Sequence, residues 1–268
     1  MTIGPAATSR GPVGVGSKQQ MSHQSHTAAA ILAAGLGTRM GSDLPKALVS
    51  LGGRPIAQHV LDSVAGAGVS DIVVVVGHDS EAVRQALGDG VRYAVQECQR
   101  GTADALLCAR EVLQDFSGYL LALYCDVPFV PPDLLRRLAQ ECAAQRAAAA
   151  MVTVELEQPG AYGRIIRRSD GQVVGIKEAA GATPAELAIK EINAGIYCFR
   201  APLIFDIVAE IEPDPVKGEY YLTDAIGILA AKGRAITVIR AQDRAVVMGV
   251  NTLEELEQAE RILRRMSS

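Results

Sequence analysis

The run DIVVVVGH at 71–78 limits this chain more than any other segment. Its four consecutive valines show no alternation with polar residues. A β-branched run of that kind is a strand buried on both faces, as in the interior of a parallel sheet. The same punctuation repeats around it. AAAILAAG (28–35) is an apolar run ending in glycine and reads as a first strand entering a loop. PIAQHVLDSVAGAG (55–68) is helical, with Gly66 and Gly68 near its end. SEAVRQALGDG (80–90) begins with a serine cap and stops at glycine. VRYAVQ (91–96) is a strand, and TADALLCAREVL (102–113) is a helix with Thr102 as its cap. YLLALYCDVPFV (119–130) is a strand running into Asp126 and a proline turn, and PPDLLRRLAQECAAQ (131–145) is a helix with proline at its start.

Strand–helix alternation predicts an α/β fold: a doubly wound, mostly parallel, Rossmann-like sheet. Ligands in such sheets sit beyond the carboxyl ends of the strands. The loop after the first strand and the Asp126 turn both lie there. The second half is richer in strands: MVTVEL (151–156), RIIRRSDGQVVGIKE (164–178, with a hairpin turn at Ser169–Gly171), INAGIYCF (192–199) and AITVIRA (235–241). Helices are expected at about 201–211 and 220–232, and at 252–266, where the basic end suits the macrodipole. This half reads as a mixed-sheet extension that builds the acceptor side of a pocket. No internal repeat is evident.

Composition narrows the classes of function. The 268 residues, 49% of them hydrophobic, suffice for one large α/β domain. The net charge of −4 offers no basic surface for nucleic acid. No apolar run reaches the roughly 20 residues that span a bilayer, so no membrane partner is expected. Five cysteines without a CxxC pair fit a reducing cytoplasm better than a disulfide framework. Residues 1–27 are rich in Gly, Ser, Gln and Pro and are expected to be a disordered tail. The working domain is then 28–268, with one part running to about 150 and a second beyond.

The chemistry starts in ILAAGLGTRMGSDLPK at 31–46. Gly35 and Gly37 directly follow the first strand, where glycines let backbone N–H groups wrap an anion. Arg39 offers a planar fork to phosphate oxygens and Lys46 a compact charge, with Pro45 stiffening the approach. A GxG alone is more often a tight turn. The set of two glycines, Thr38, Arg39 and Pro45–Lys46 is far more specific. It matches neither GxxxxGK[ST] nor the dinucleotide GxGxxG, which needs glycine at Met40.

These residues resemble the signature of the sugar-phosphate nucleotidyltransferases. Further segments resemble the uridylyltransferase domain of the bifunctional N-acetylglucosamine-1-phosphate uridylyltransferase/glucosamine-1-phosphate acetyltransferases. They are QECQRGTADA (96–105), YCDVPF (124–129), AYGRI (161–165), GIKE (175–178), EINAGIY (191–197), KGEYYLTDAI (217–226) and GVNTLEELEQAE (249–260). The resemblance covers nearly everything after residue 27.

What the resemblance implies is a transfer from a nucleoside triphosphate, UTP favoured, to a sugar 1-phosphate, N-acetylglucosamine 1-phosphate favoured. Leu32, Ala33, Ala34, Gly35, Gly37 and Thr38 would bind the nucleotide, and Gln96, Gly101 and Thr102 its base. Arg39 and Lys46 would hold phosphates. Asp126 and Asn251 would be the protein ligands of Mg²⁺, a hard ion that keeps waters and takes few protein oxygens. Asn251 could also cap the final helix, with Glu254 near capping-box distance. Gly163, Glu178, Asn193 and Tyr221 would hold the sugar, with Tyr220 beside them. The nucleophile is an anionic phosphate oxygen, so no general base is needed, and His59 and His78 read as structural.

Four departures from the family pattern stand out. Cys125 replaces the usual glycine and adds a side chain near the sugar. Ala103–Asp104 replaces a small residue–His pair, and AAGA at 179–182 replaces a charged run. The chain also ends where the acetyltransferase β-helix would start, so acetyl transfer is not expected. The departures at Cys125, Asp104 and 179–182 leave open another hexose- or cyclitol-phosphate paired with GTP, ATP or CTP. A second rival, an inactive nucleotide-sugar-binding module, would be marked by loss of Arg39, Lys46, Asp126 or Asn251, and all four are present.

Overall fold

The computed structural model describes residues 1, 2, 4, 26–35, 37 and 44–266. Thr38 and Arg39, and all but a few residues of the expected tail, lie outside them. The first strand, β1 (Thr27–Ala33), starts one residue inside the segment assigned to the tail.

Four parallel strands form the first half of the sheet. β1 pairs with β4 (Asp71–Val76) on one side and with β6 (Gly118–Tyr124) on the other, and β4 pairs with β5 (Arg92–Val95). The order β5–β4–β1–β6 reverses direction of winding at the β1/β6 junction, where an α/β sheet opens its ligand crevice. The run expected at 71–78 to be a strand buried on both faces forms one over Asp71–Val76, with five of its six residues buried. Strand periodicity explains why. Ala29, Ile31 and Ala33 feed one core and Ala28, Ala30 and Leu32 the other, so both faces of β1 need apolar side chains. Helices α1 (Ile56–Gly66), α2 (Ser80–Leu87) and α4 (Pro132–Ala144) cover the first face. α3 (Thr102–Val112), α6 (Leu203–Val208) and α7 (Asp224–Ala231) cover the second.

The second half continues the same sheet. β10 (Glu191–Ala201) runs antiparallel to β6 and to β7 (Ala149–Glu155), and β11 (Ile236–Arg240) closes the edge parallel to β7. The hairpin β8 (Arg164–Arg167)–β9 (Val173–Lys177) branches from β10. Its turn is where the sequence put it, closed by Gly171 N–H donating to the Arg168 carbonyl at 2.9 Å. A two-stranded ribbon, β2 (Ser50–Leu51) with β3 (Arg54–Pro55), and the last helix, α8 (Leu253–Met266), share a small third core around Leu51, Phe129 and Val250. A short helical turn, α5 (Pro184–Leu187), precedes β10.

Several local expectations shift. Asp79, not a serine, precedes α2, in a left-handed conformation without a side-chain cap. Gly101 occupies the cap of α3, and Thr102 is its first residue. The helix expected at 220–232 starts only at Asp224, because the backbone at Tyr220 is spent elsewhere. Its N–H donates to the Arg100 carbonyl at 2.7 Å, and its carbonyl accepts from Ala103 N–H at 2.9 Å.

Candidate active site

At the β1/β6 junction three side chains from distant parts of the chain converge. Lys46 follows the glycine loop, Asp126 follows β6, and Asn251 precedes α8. The Lys46 ammonium forms an ion pair with Asp126 Oδ2 and donates to Asn251 Oδ1 at 2.6 Å. Backbone pairing fixes the two oxygens relative to each other, since Val250 N–H donates to the Asp126 carbonyl at 2.9 Å. The cap of α8 belongs to Thr252, not Asn251. Thr252 Oγ1 accepts from Glu255 N–H at 3.2 Å, and Glu255 Oε2 accepts from Thr252 N–H at 3.1 Å and from Asn251 N–H at 2.6 Å. The capping partner is Glu255, one residue beyond the expected Glu254. Asn251 is thereby held by its backbone, with its amide side chain turned to Lys46.

Two cavities open on either side of this cluster. One, of about 360 Å³, is lined by Leu32, Ala34, Gly35, Lys46, Gln96, Gly101, Thr102, Cys125 and Asp126, among others. Most residues expected to hold the nucleotide are therefore brought together. Ala33 is not: it is 2% exposed and points into the core on the opposite strand face. Gly37 packs against the Leu44 carbonyl, which a Cβ there would approach to 3.1 Å. A residue not singled out from the sequence is Gln99, whose Nε2 donates to the Ala34 carbonyl at 2.6 Å and fastens the segment between β5 and α3 to the end of β1.

The second cavity, of about 470 Å³, is lined by Gly163, Glu178, Asn193 and Tyr221 together with Thr102, Tyr124, Asp126, Tyr162, Thr223 and Asn251. All four expected sugar-binding residues meet there. Gly163 is small because a Cβ would stand 2.9 Å from Ile176 and about 3.5 Å from the Glu178 carboxyl. Burial raises the Glu178 pKa above the usual carboxylate range; a hydrogen bond from Thr223 Oγ1 at 2.9 Å partly opposes this, and Asp224 adds to it. Asn193 Nδ2 donates to the Tyr197 hydroxyl at 2.6 Å, and Asn193 Oδ1 accepts from Gly195 N–H at 3.1 Å. Tyr220 does not line this cavity; its ring packs on the second core.

Tyr124, which the sequence did not single out, belongs to both cavities. It hydrogen-bonds with Thr102, which also lines both cavities, and with the buried Tyr197, and burial raises its pKa. Its position two residues before Asp126 puts both on one face of the strand end, which is the signal that marks it. Cys125 faces the other way. It is buried in the first core and lines the nucleotide cavity, not the sugar cavity, so the expectation that it reshapes the sugar pocket is not met. Burial pushes its thiol pKa up to about 12, with Asp126 adding to the rise, so it is not a nucleophile at neutral pH.

The MobA-like NTP transferase domain matches residues 29–261. The chain belongs to this family. The bifunctional protein GlmU of Brevibacillus brevis is 44% identical over 237 residues, covering 88% of this chain and 51% of that protein. GlmU of Syntrophotalea carbinolica is likewise 44% identical over 239 residues, covering 89% of this chain and 51% of that protein. The chain thus spans about half the length of the curated relatives it matches. Two solved structures share its fold. A glucose-1-phosphate thymidylyltransferase from Bacillus anthracis, in complex with sucrose, superposes with a TM-score of 0.73 at 21% identity, covering 89% of this chain and 95% of that one. A UDP-glucose pyrophosphorylase complexed with UDP-glucose gives 0.73 at 16% identity, covering 90% and 99%. Among the described residues no helix is long and apolar enough to cross a membrane.

Proposed function

We propose that this chain joins N-acetylglucosamine 1-phosphate to the uridylyl group of UTP and releases pyrophosphate, with Mg²⁺ bound at Asp126 and Asn251. One observation carries the reading: Lys46, Asp126 and Asn251 converge where two cavities, of about 360 and 470 Å³, share Thr102, Tyr124 and Asp126 in their walls. The likeness to the GlmU proteins supports the choice of substrates.

Asp126 and Asn251 pass a simple test of fit to a metal ion. Two hard oxygens from separate elements already point at a single cation, the Lys46 ammonium. Among the described residues no group of three or more His, Cys, Asp or Glu side chains could hold a metal. A pair of oxygens completed by substrate phosphates suits magnesium. When bound, Mg²⁺ would neutralise charge on the phosphates as the α-phosphorus is attacked.

The chain's own residues would do the rest by positioning and charge. Backbone N–H groups near Gly35 cradle the triphosphate, and Lys46 and Arg39 offset its charge. Glu178 and Asn193 orient the sugar so that its phosphate faces the α-phosphorus in line. The attacking oxygen is already anionic, so no side chain has to remove a proton. A panel of UTP, GTP, ATP and CTP against N-acetylglucosamine, glucosamine and glucose 1-phosphates, read by pyrophosphate release, tests this. The highest turnover is expected for UTP with N-acetylglucosamine 1-phosphate. Release only with non-uridine triphosphates, or with none, overturns it.

A further inference from the structure

Gln96 is 3% exposed, and its amide nitrogen is fully committed. Nε2 donates to the Gly101 carbonyl at 3.0 Å and to Asp104 Oδ2 at 2.7 Å. A backbone carbonyl and a carboxylate only accept, so the nitrogen must face both and the amide cannot be turned over. Its backbone is fixed too, because Gln96 N–H donates to the Val76 carbonyl at 2.8 Å. Asp104 is held in turn: Arg100 donates to its other oxygen at 2.7 Å. The remaining polar atom of Gln96 is Oε1. Among the described residues no donor engages it, and it is not sealed off; the one sealed, unpartnered side-chain polar atom among them is Arg164 Nε. Gln96 lines the nucleotide cavity.

We infer that Asp104 is a positioning residue for base choice: it locks Gln96 so that only an acceptor, Oε1, faces the base. The inference rests on the nucleotidyl-transfer reading above and deepens it. A glutamine amide free to rotate reads a donor or an acceptor equally well. A locked one demands an N–H. Of the two pyrimidines of the same shape, uracil carries N3–H and pairs with Oε1. Cytosine held in the same pose turns a lone pair at N3 toward Oε1, and its N4 amino group lies where uracil has O4, so it can pair with Oε1 only if the whole base shifts. The penalty for such a mismatch sets discrimination on the order of 10²-fold or more. Asp104, which departs from the family pattern, then reinforces the preference for a uridine nucleotide.

The test is the UTP-to-CTP ratio of kcat/KM, together with UDP and CDP affinities measured by calorimetry, in four proteins: wild type, Asp104→Ala, Gln96→Ala and the double variant. The wild type is expected to favour the uridine nucleotides. Asp104→Ala should lower the ratio by about tenfold, since one charge-assisted hydrogen bond no longer holds the amide. Adding Asp104→Ala to Gln96→Ala should change the ratio no further, because Asp104 acts through Gln96. Melting curves of all four report folding separately. An unchanged ratio in Asp104→Ala, a cytidine preference in the wild type, or additive effects in the double variant would falsify the inference while leaving nucleotidyl transfer standing. Failure to bind any of the nucleotides removes the functional reading and this inference with it.

Discussion

Lys46 has two tasks in one place. It is the positive charge nearest the two oxygens that would hold a metal, and it reaches into the cavity assigned to the triphosphate. An ammonium suits this better than a guanidinium, because three donors on one small atom can serve oxygens in different directions. Replacing it by alanine should lower kcat by about 10²-fold or more, with UTP affinity reduced as well. Steady-state pyrophosphate release checks this, and near-normal turnover would take Lys46 out of the site. Residues such as Lys46, Asp126 and Asn251 were legible in the sequence because their types and order match a family signature. The direction of a side chain was less so. Ala33 and Cys125 sit inside matching motifs, yet strand periodicity turns both toward the first core, and only Cys125 also reaches the nucleotide cavity. In the sequence Asp104 is a departure that weakens the case for uracil as the base, while in three dimensions its carboxylate accepts from the Gln96 amide.

At the scale of elements, β10 shows how a strand defect places a polar side chain in a cavity wall. Its pairing with β7 slips between Asn193 and Tyr197. Gly195 lies in that interval at φ +71°, and a Cβ there would stand 2.7 Å from the Tyr124 ring. The bulge leaves Asn193 bracing its own turn through Gly195 N–H and Tyr197 hydroxyl, with its amide at the sugar cavity. Alanine at 195 meets two separate obstacles, a left-handed backbone and a ring in contact. Gly195→Ala should therefore cost about 2–3 kcal/mol of stability. It should also raise KM for the sugar phosphate more than KM for UTP, since Asn193 moves with the bulge. Denaturant titration and paired KM measurements check both; an unchanged sugar KM would detach the bulge from sugar binding. The strand itself was evident from INAGIY, but the slip was not, because a glycine in a strand is compatible with several irregularities. Helix starts were misplaced for a related reason. Tyr220 looked helical, and long-range bonds to Arg100 and Ala103 pulled it out.

Across the whole molecule, two carboxylates at strand ends, buried Glu191 and half-buried Glu178, titrate so that they pull stability in opposite directions. Glu191 is desolvated at the start of β10, but hydrogen bonds from Arg167 and Thr153 outweigh that and lower its pKa. Its contribution to stability is present above the unfolded pKa and is lost as pH falls through the lowered value. Glu178 is the reverse case: burial dominates and its pKa is raised. The folded state is then favoured at low pH, and that advantage disappears as pH rises through the raised value, because at neutral pH the native protein holds a carboxylate in a site that resists ionisation. Among the described residues the Thr223 hydrogen bond and, more weakly, the Lys217 charge oppose the rise without cancelling it, which fits a group kept for a ligand and not for the fold. Glu178→Gln keeps the shape and the Thr223 bond while removing the charge. It should raise the melting temperature by about 2 °C at neutral pH. The gain should shrink toward pH 4, where the wild-type carboxyl is already protonated. In the same variant KM for the sugar phosphate should rise at neutral pH, because a charged acceptor at the cavity wall becomes an amide that accepts less strongly. Melting curves across pH for wild type and Glu178→Gln decide the matter. A variant that is destabilised at pH 7 would mean that Glu178 serves the fold, and its assignment to the sugar would lose its energetic support.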